Sequence, residues 1–376
     1  MSSDLSKLSA EEKRRLLKNL LENKKPQNAA AEGASMANSA AVKAFHSQID
    51  ELKKFGELPF FQIPDRGHGA HLQFDDEEVI NFSGYDYLGL VGHKDINDAV
   101  SRAVAEFGST TSSSRLLCGE RKIHGELEKE IASLIGVEAA MAFVGGYQTN
   151  ETVMGNIVGP EDIILYDSYI HASIQEGSRL SGAKVRPFPH NDWEALNNIL
   201  AQERAKYRNA LIAIEGVYSM DGDIPDLPRY LEVKESHNAW ILVDEAHSIG
   251  VLGQSGGGIG ELFDVDRRKV DLWMGTLSKS FASCGGYLAG DKGLIEFLKY
   301  SLPGFSFSVA MTPANAAAAL TALKLLRAEP SRPSVACLRA AQFKEALLPR
   351  LHTGKAAGSA IIPVFTGDTE KSMMVY

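Results

Sequence analysis

The sequence predicts an α/β protein built on a mainly parallel sheet with helices on both faces. Two observations carry this expectation. From about residue 79, short runs rich in Ile, Leu and Val alternate with longer runs of helical period; apolar strands separated by helices mark a sheet buried on both sides. The residues best suited to chemistry fall where the apolar runs end and loops begin, which is where ligands collect in such sheets. The expected strands are 79–82, 139–144, 162–166, 210–214, 240–244, 272–275 and 286–289, with helices such as 121–135 and 227–237 between them. The sequence shows no internal repeat.

Ahead of this region, residues 4–25 read as an amphipathic helix. Ser9 and Glu12 form an S-x-x-E capping box, and Leu5, Leu8, Leu16, Leu17, Leu20 and Leu21 can share one face. Residues 26–41, with the run KPQNAAAEGASMANSA, form a flexible linker of small and polar residues. The helix is thus either an arm on the surface or a docking helix for a partner.

Composition narrows the class. The chain is 44% hydrophobic and 23% charged, as globular proteins are. Its net charge of −9 argues against nucleic acid or an anionic membrane as a partner. Cys118, Cys284 and Cys337 are widely spaced and form no CxxC pair. This disfavours a disulfide framework or a zinc site and points to a reducing compartment, with the cytoplasm as the expected location. No apolar run reaches membrane-spanning length, and the N-terminus lacks the apolar core of a secretory signal.

The strand WILVD ends at Asp244 and runs into EAHSIG, which places His247 three residues on. Downstream, LWMGTLSKSFASCGGYLAG sets Lys279 in a loop of hydroxyl and small residues between two apolar runs. This pair meets the needs of pyridoxal 5'-phosphate (PLP). A carboxylate must hold the proton on the pyridine nitrogen, and a lysine must be neutral often enough to form an imine with the aldehyde. Other motifs are weaker. Asp-Glu-Ala-His also marks helicases, but no G-x-x-x-x-G-K-[ST] accompanies it here. Gly253 to Gly257 matches G-x-S-x-G without a strand immediately before it.

With these motifs in order, the chain resembles the α-oxoamine synthase family from about residue 60 to its end. This is the PLP-dependent group that includes 8-amino-7-oxononanoate synthase, 5-aminolevulinate synthase and serine palmitoyltransferase. FSGYDYLGL resembles the family's entry motif, with Tyr85 and Asp86 where an Asn is usual. STTSSSRLLCGERKIHGELEKEIA resembles the segment that reaches the neighbouring subunit's site. The resemblance implies that Gly146 and Tyr147 of GGYQTN bind the PLP phosphate and that His171 of DSYIHAS stacks on the ring. It places Glu215 and Ser219 of EGVYSMDGD at the cofactor, Ser219 near its phenolic oxygen. Asp244 would meet the ring nitrogen, His247 the phenolic oxygen, Thr276 the phosphate and Lys279 the aldehyde. Ser308 of GFSFSVAMTPANAAAA would serve the partner subunit's phosphate site. No metal is expected.

The resemblance further implies fold type I, like aspartate aminotransferase, and a homodimer with shared active sites. The implied reaction is decarboxylative condensation of an amino acid with an acyl thioester, giving an α-aminoketone, with Lys279, His171 and Asp244 catalytic. The wording is closest to members that accompany polyketide assembly lines, so the expected acyl donor rides on an acyl carrier protein rather than on coenzyme A. The expected division is an entry segment at 42–92, a large PLP-binding domain at 93–310 and the start of a small C-terminal domain at 311–376. AIIPVFTGDTEKSMMVY reads as the opening of that small domain, and the chain as a fragment. The alternatives are an aminotransferase, an aldolase-like lyase or a non-catalytic partner subunit.

Overall fold

The computed structural model describes residues 35–53, 58, 60–348, 350–356, 358–368 and 371–372. The expected helix at 4–25 and most of the expected linker lie outside the described residues. Helix α1 (Ala40–Lys53) begins inside the expected linker, because Ser39 Oγ accepts the Val42 N–H and the residues from Ala40 to Ala44 are mostly alanine.

By packing, the chain divides into two compact units. One comprises Asp65–Pro349 and Thr353–Pro363; the other comprises Met1–Pro64, Arg350–His352 and Val364–Tyr376. The smaller unit contains α1 and a bridge between His352 and Phe365, whose rings lie 5.3 Å apart.

The larger unit opens with a three-stranded antiparallel sheet of β1 (Arg66–His68), β2 (His71–Phe74) and β3 (Glu77–Ile80). The strand expected at 79–82 is therefore corrected. It starts at Glu77 and belongs to this meander, because the chain reverses at Gly69 and at Asp75, both with positive φ. After α2 (Lys94–Phe107) and α3 (Lys122–Ile135) comes the main sheet. Its strands are β4 (Ala139–Phe143), β5 (Ile163–Asp167), β6 (Lys184–Phe188), β7 (Ala210–Glu215), β8 (Trp240–Asp244), β9 (Leu272–Thr276) and β10 (Gly286–Gly290).

The seven strands lie in the order β4-β10-β9-β8-β7-β5-β6. All pairings are parallel except those of β10, which runs antiparallel to both β4 and β9. Every residue of β7 is buried. Ala210, Ile212 and Ile214 join one apolar cluster with Leu127 and Ile131 of α3 and with Leu196 of α6 (Trp193–Glu203). Leu211 and Ala213 join the opposite cluster with Val153 of α4 (Gly146–Asn156) and Ile174 of α5 (Ala172–Leu180). The sheet is thus covered on both faces, as the apolar strand pattern predicts. The edge strand β6 escaped prediction because KVRPF is polar, half-exposed and carries Pro187, which an edge tolerates.

The remaining helices are α7 (Leu227–Ser236), the short α8 (Ile259–Leu262), α9 (Lys292–Ser301), the short α10 (Pro303–Ser306), α11 (Pro313–Ala328) and α12 (Arg332–Leu347). The boundary expected at residue 310 does not coincide with the packing. Helix α11 buries Ala316, Ala319, Leu320 and Leu323 and packs on α2 and α3, so the large unit continues well past it. Among the described residues, no helix is long and apolar enough to cross a membrane.

Candidate functional site

The ends of β7, β8 and β9, the first turn of α4 and the cap of α5 meet at one cavity of about 180 Å³. It is lined by Gly146, Tyr147, His171, Glu215, Asp244, His247, Thr276 and Lys279, which the sequence singles out from five separate segments. Asn150, Ser173, Ala246, Met274 and Ser278 complete the lining.

Asp244 is the last residue of β8 and is 3% exposed. Its Oδ2 accepts a hydrogen bond from Asn150 Nδ2 (2.8 Å) and its Oδ1 accepts the Ala246 N–H (2.9 Å). Asn150 is four residues beyond Gly146, so one helical turn brings it to the same face of α4. Its amide also donates to Ser173 Oγ (3.0 Å), while its buried Oδ1 has no partner.

Lys279 lies in the turn after β9, its Nζ 2.7 Å from His247 Nε2 and 5.5 Å from the centre of the Tyr85 ring. Burial lowers its pKa, against the opposing pull of Asp244 and Glu215. The other imidazole nitrogen of His247, Nδ1, lies 2.7 Å from the Tyr87 hydroxyl. Burial, with Lys279 and His171 adding to it, holds His247 down at about 3, so this histidine is neutral. His171 caps α5: its Nδ1 accepts the Ser173 N–H (3.2 Å), and its own N–H donates to Glu215 Oε1 (2.7 Å). Burial lowers the His171 pKa, partly offset by Asp244. Glu215 is pushed well above the usual carboxylate value by burial and then by Asp244.

Also in the cavity wall, α4 starts at Gly146 with no side-chain cap at Gly145. Thr276 Oγ1 stands beside it, bonded to Ser278 Oγ (2.7 Å) and donating to Gly285 O (2.9 Å). A Cβ on Gly146 would sit 3.0 Å from Thr276 Oγ1, so glycine is what lets the helix approach that hydroxyl.

Two expected residues stand elsewhere. Ser219 is half-buried in the turn after β7 and is not among the lining residues. Ser308 lines a separate small cavity with Arg115, Phe143 and Phe305. Ser255 of the G-x-S-x-G match is tied to Glu261 in a turn (2.9 Å). Asn150, Ser173, Ser278 and Tyr87 were missed, although each lies inside a motif already singled out. Their signal is position, one turn or two residues from a recognised residue.

A family model, aminotransferase class I and II, matches residues 77–365. A protein of Trichodesmium erythraeum named as an 8-amino-7-oxononanoate synthase is 46% identical over 264 residues, 70% of this chain and 67% of that protein. A protein of Caulobacter vibrioides with the same name is 41% identical over 312 residues, 82% of this chain and 79% of that protein. The chain thus spans about two thirds of the length of the first of these relatives. The solved structure of a serine palmitoyltransferase from S. paucimobilis with bound PLP and myriocin superposes with a TM-score of 0.85 at 27% identity, covering 89% of this chain and 88% of that one. Motifs, fold and cavity agree with these likenesses: the chain belongs to the aminotransferase class I and II family and, within it, to the PLP-dependent α-oxoamine synthases.

Proposed function

We propose that the chain condenses an amino acid with an acyl thioester, with loss of carboxylate, to give an α-aminoketone. The observation that carries this reading is a single cavity holding a buried carboxylate, Asp244, and a lysine, Lys279, whose amine burial pushes toward neutrality.

The residues present fit PLP. The uncapped first turn of α4, with Thr276 and Ser278 beside it, is a phosphate cradle that a side chain at Gly146 would crowd. Asp244 would face the ring nitrogen, His171 and Ala246 the ring faces, His247 the phenolic oxygen, and Lys279 the aldehyde. Bound there, PLP supplies an aldehyde that captures the amino acid and a ring that accepts the charge left on Cα. Asp244 holds the proton on the ring nitrogen, itself fixed by Asn150 and the Ala246 N–H. Lys279 would be the base for the α-proton: burial lowers the pKa of Nζ, which raises the share of the free amine. Neutral His247 holds Nζ in place from Nε2. Glu215 fixes the backbone of His171, so the imidazole keeps its place in the cavity wall.

A homodimer accords with this reading. Leu117 and Phe307 are 80% and 84% exposed on two segments joined by the Ala310 N–H to Ser113 O bond, beside Ser308. An apolar face next to a residue expected to serve the partner's site is what a subunit contact requires. Delivery of the acyl group by an acyl carrier protein is supported by the likeness of LSAEEKRRLLKNLL to linkers beside carrier domains. Work in the cytoplasm accords with three free cysteines.

The test is the visible absorption of the full chain with PLP while amino acids are added one at a time. An imine band that one amino acid shifts, and that Lys279→Ala abolishes, supports the reading. A band indifferent to every amino acid would sink it. Turnover with acyl coenzyme A but not with the matching acyl carrier protein would remove the carrier-protein part alone.

A further inference from the structure

Outside the cavity, the imidazole of His190, just after β6, is held between two carboxylates. Its Nδ1 lies 2.9 Å from Asp167 Oδ1 and its Nε2 lies 3.0 Å from Asp223 Oδ2. The ring stacks on Tyr169 at 4.3 Å between centroids and meets Tyr218 edge-on at 4.6 Å. Asp221 Oδ2 stands 3.8 Å from Nε2. These neighbours come from two separate loops. Asp167 ends β5 and accepts the Tyr169 N–H (2.8 Å), shaping the short turn that delivers His171 to the cavity. Asp223 closes the turn after β7, where its backbone O accepts the Tyr218 N–H (3.1 Å) immediately before Ser219.

Asn191 repeats the bridge. Its N–H donates to Asp167 Oδ2 (2.7 Å) and its side-chain amide to Asp223 Oδ2 (2.6 Å). Its φ of 53° lies in the left-handed region that Asn enters more readily than most residues. Two consecutive residues thus hold the same pair of carboxylates.

We infer that His190 is a positioning residue: by bridging Asp167 and Asp223 it locks the turn before His171 to the turn bearing Ser219, and so sets where His171 stands in the cavity. Its ring bonds to Asp167 and Asp223 rather than to a lining residue, so it acts through Asp167 and Tyr169. Charge is part of the device. Two carboxylates hydrogen-bonded to one ring favour the imidazolium, and despite partial burial its pKa is raised to about 9. The groups that face the ring are Asp167, Asp221, Asp223, Tyr169 and Tyr218, so the carboxylates dominate throughout the neutral range. His190 with Asp221 and Asp223 has the composition of a cation site. Both ring nitrogens are already engaged by carboxylates, however, which leaves no lone pair for a metal.

The inference rests on the cavity being the PLP site, and one of its tests needs no cofactor. Amide hydrogen exchange in the full chain before PLP is added should quicken about ten-fold at Tyr169, Ile170 and His171 in His190→Gln, with Ile241 to Val243 of β8 unchanged. With PLP added, the circular dichroism of its absorption band should shrink in His190→Gln. In the unsubstituted chain that signal should fall as pH rises through about 9, the range in which the bridge loses its charge. The His190→Gln signal should not show that fall. Asp223→Asn should reproduce the exchange result should His190→Gln fail to fold. Unchanged exchange, or exchange that rises equally in β8, overturns the inference, as does a dichroism signal with the same pH profile in parent and variant. Failure of the parent to bind PLP would instead count against the cofactor reading, and the exchange experiment would still decide the role of His190.

Discussion

Tyr87, His247 and Lys279 form a row of hydrogen-bonding groups, with 2.7 Å at each junction. A neutral imidazole has one donor and one acceptor, so a Tyr87 O–H that donates to Nδ1 leaves the Nε2 proton facing Lys279 Nζ, whose pKa burial lowers. Tyr87→Phe leaves that nitrogen buried without its partner, a loss of about 1–3 kcal/mol. The expected outcome is a folded chain, seen by calorimetry as a thermal midpoint lowered by several degrees, with kcat reduced about ten-fold. The depressed pKa of His247 makes a second prediction. A group with a lowered folded pKa contributes stability that is full above its ordinary value and is lost as pH falls through the folded one. For His247 that window runs from 6.5 down to about 3. Urea midpoints of the cofactor-free chain should therefore fall across this range, and His247→Gln should flatten the fall. Lys279 follows the same sign: borohydride trapping of PLP should reach half its maximum below the ordinary lysine value, because burial favours the free amine.

Among elements, β10 and α4 are fitted to each other through glycine. A Cβ on Gly286 would approach Gly146 Cα at 2.7 Å and Gly145 O at 3.0 Å, and both are backbone atoms that cannot swing aside. Gly286→Ala should push the first turn of α4 away from Thr276 and weaken PLP binding about ten-fold by fluorescence titration. Gly125 offers the contrast. It lies inside α3 with nothing near a would-be Cβ, so Gly125→Ala should stabilise the chain by roughly 0.5–1 kcal/mol in urea unfolding. Legibility also varied by element. Strands β7, β8 and β9 are buried on both faces and read as plain apolar runs. Strands β1, β2 and β6 are partly or fully exposed and mix polar with apolar residues, so they were lost among loops. The direction of β10 was not legible, because GYLAG has no feature that differs between parallel and antiparallel pairing. Asp244 and Lys279 stood out by lying at strand ends. Asn150 and Tyr87 did not, since their partners lie 94 and 160 residues away along the chain.

At the scale of the whole molecule, the apolar face around Leu117 and Phe307 predicts self-association. The double variant Leu117→Glu, Phe307→Glu should sediment as a monomer where the parent sediments as a dimer. It should lose most turnover while keeping its far-ultraviolet dichroism. The place of β10 also bears on the order in which the chain can be assembled. The ribosome releases β4 early, yet its one neighbour in the sheet is β10, and Met141 must wait for Leu288 before its backbone can pair. Until residue 290 has emerged, β4 and the start of α4 have no sheet to join, whereas β5, β6, β7 and β8 can already pair among themselves. The nascent chain thus holds an unpaired apolar edge from the release of Phe143 to that of Gly290, a hazard for aggregation. Closing it at the last strand means that the first turn of α4, the proposed phosphate cradle, joins the sheet only after the strand that carries Asp244, so on that reading a polypeptide stalled before β10 would hold Asp244 in place without the cradle.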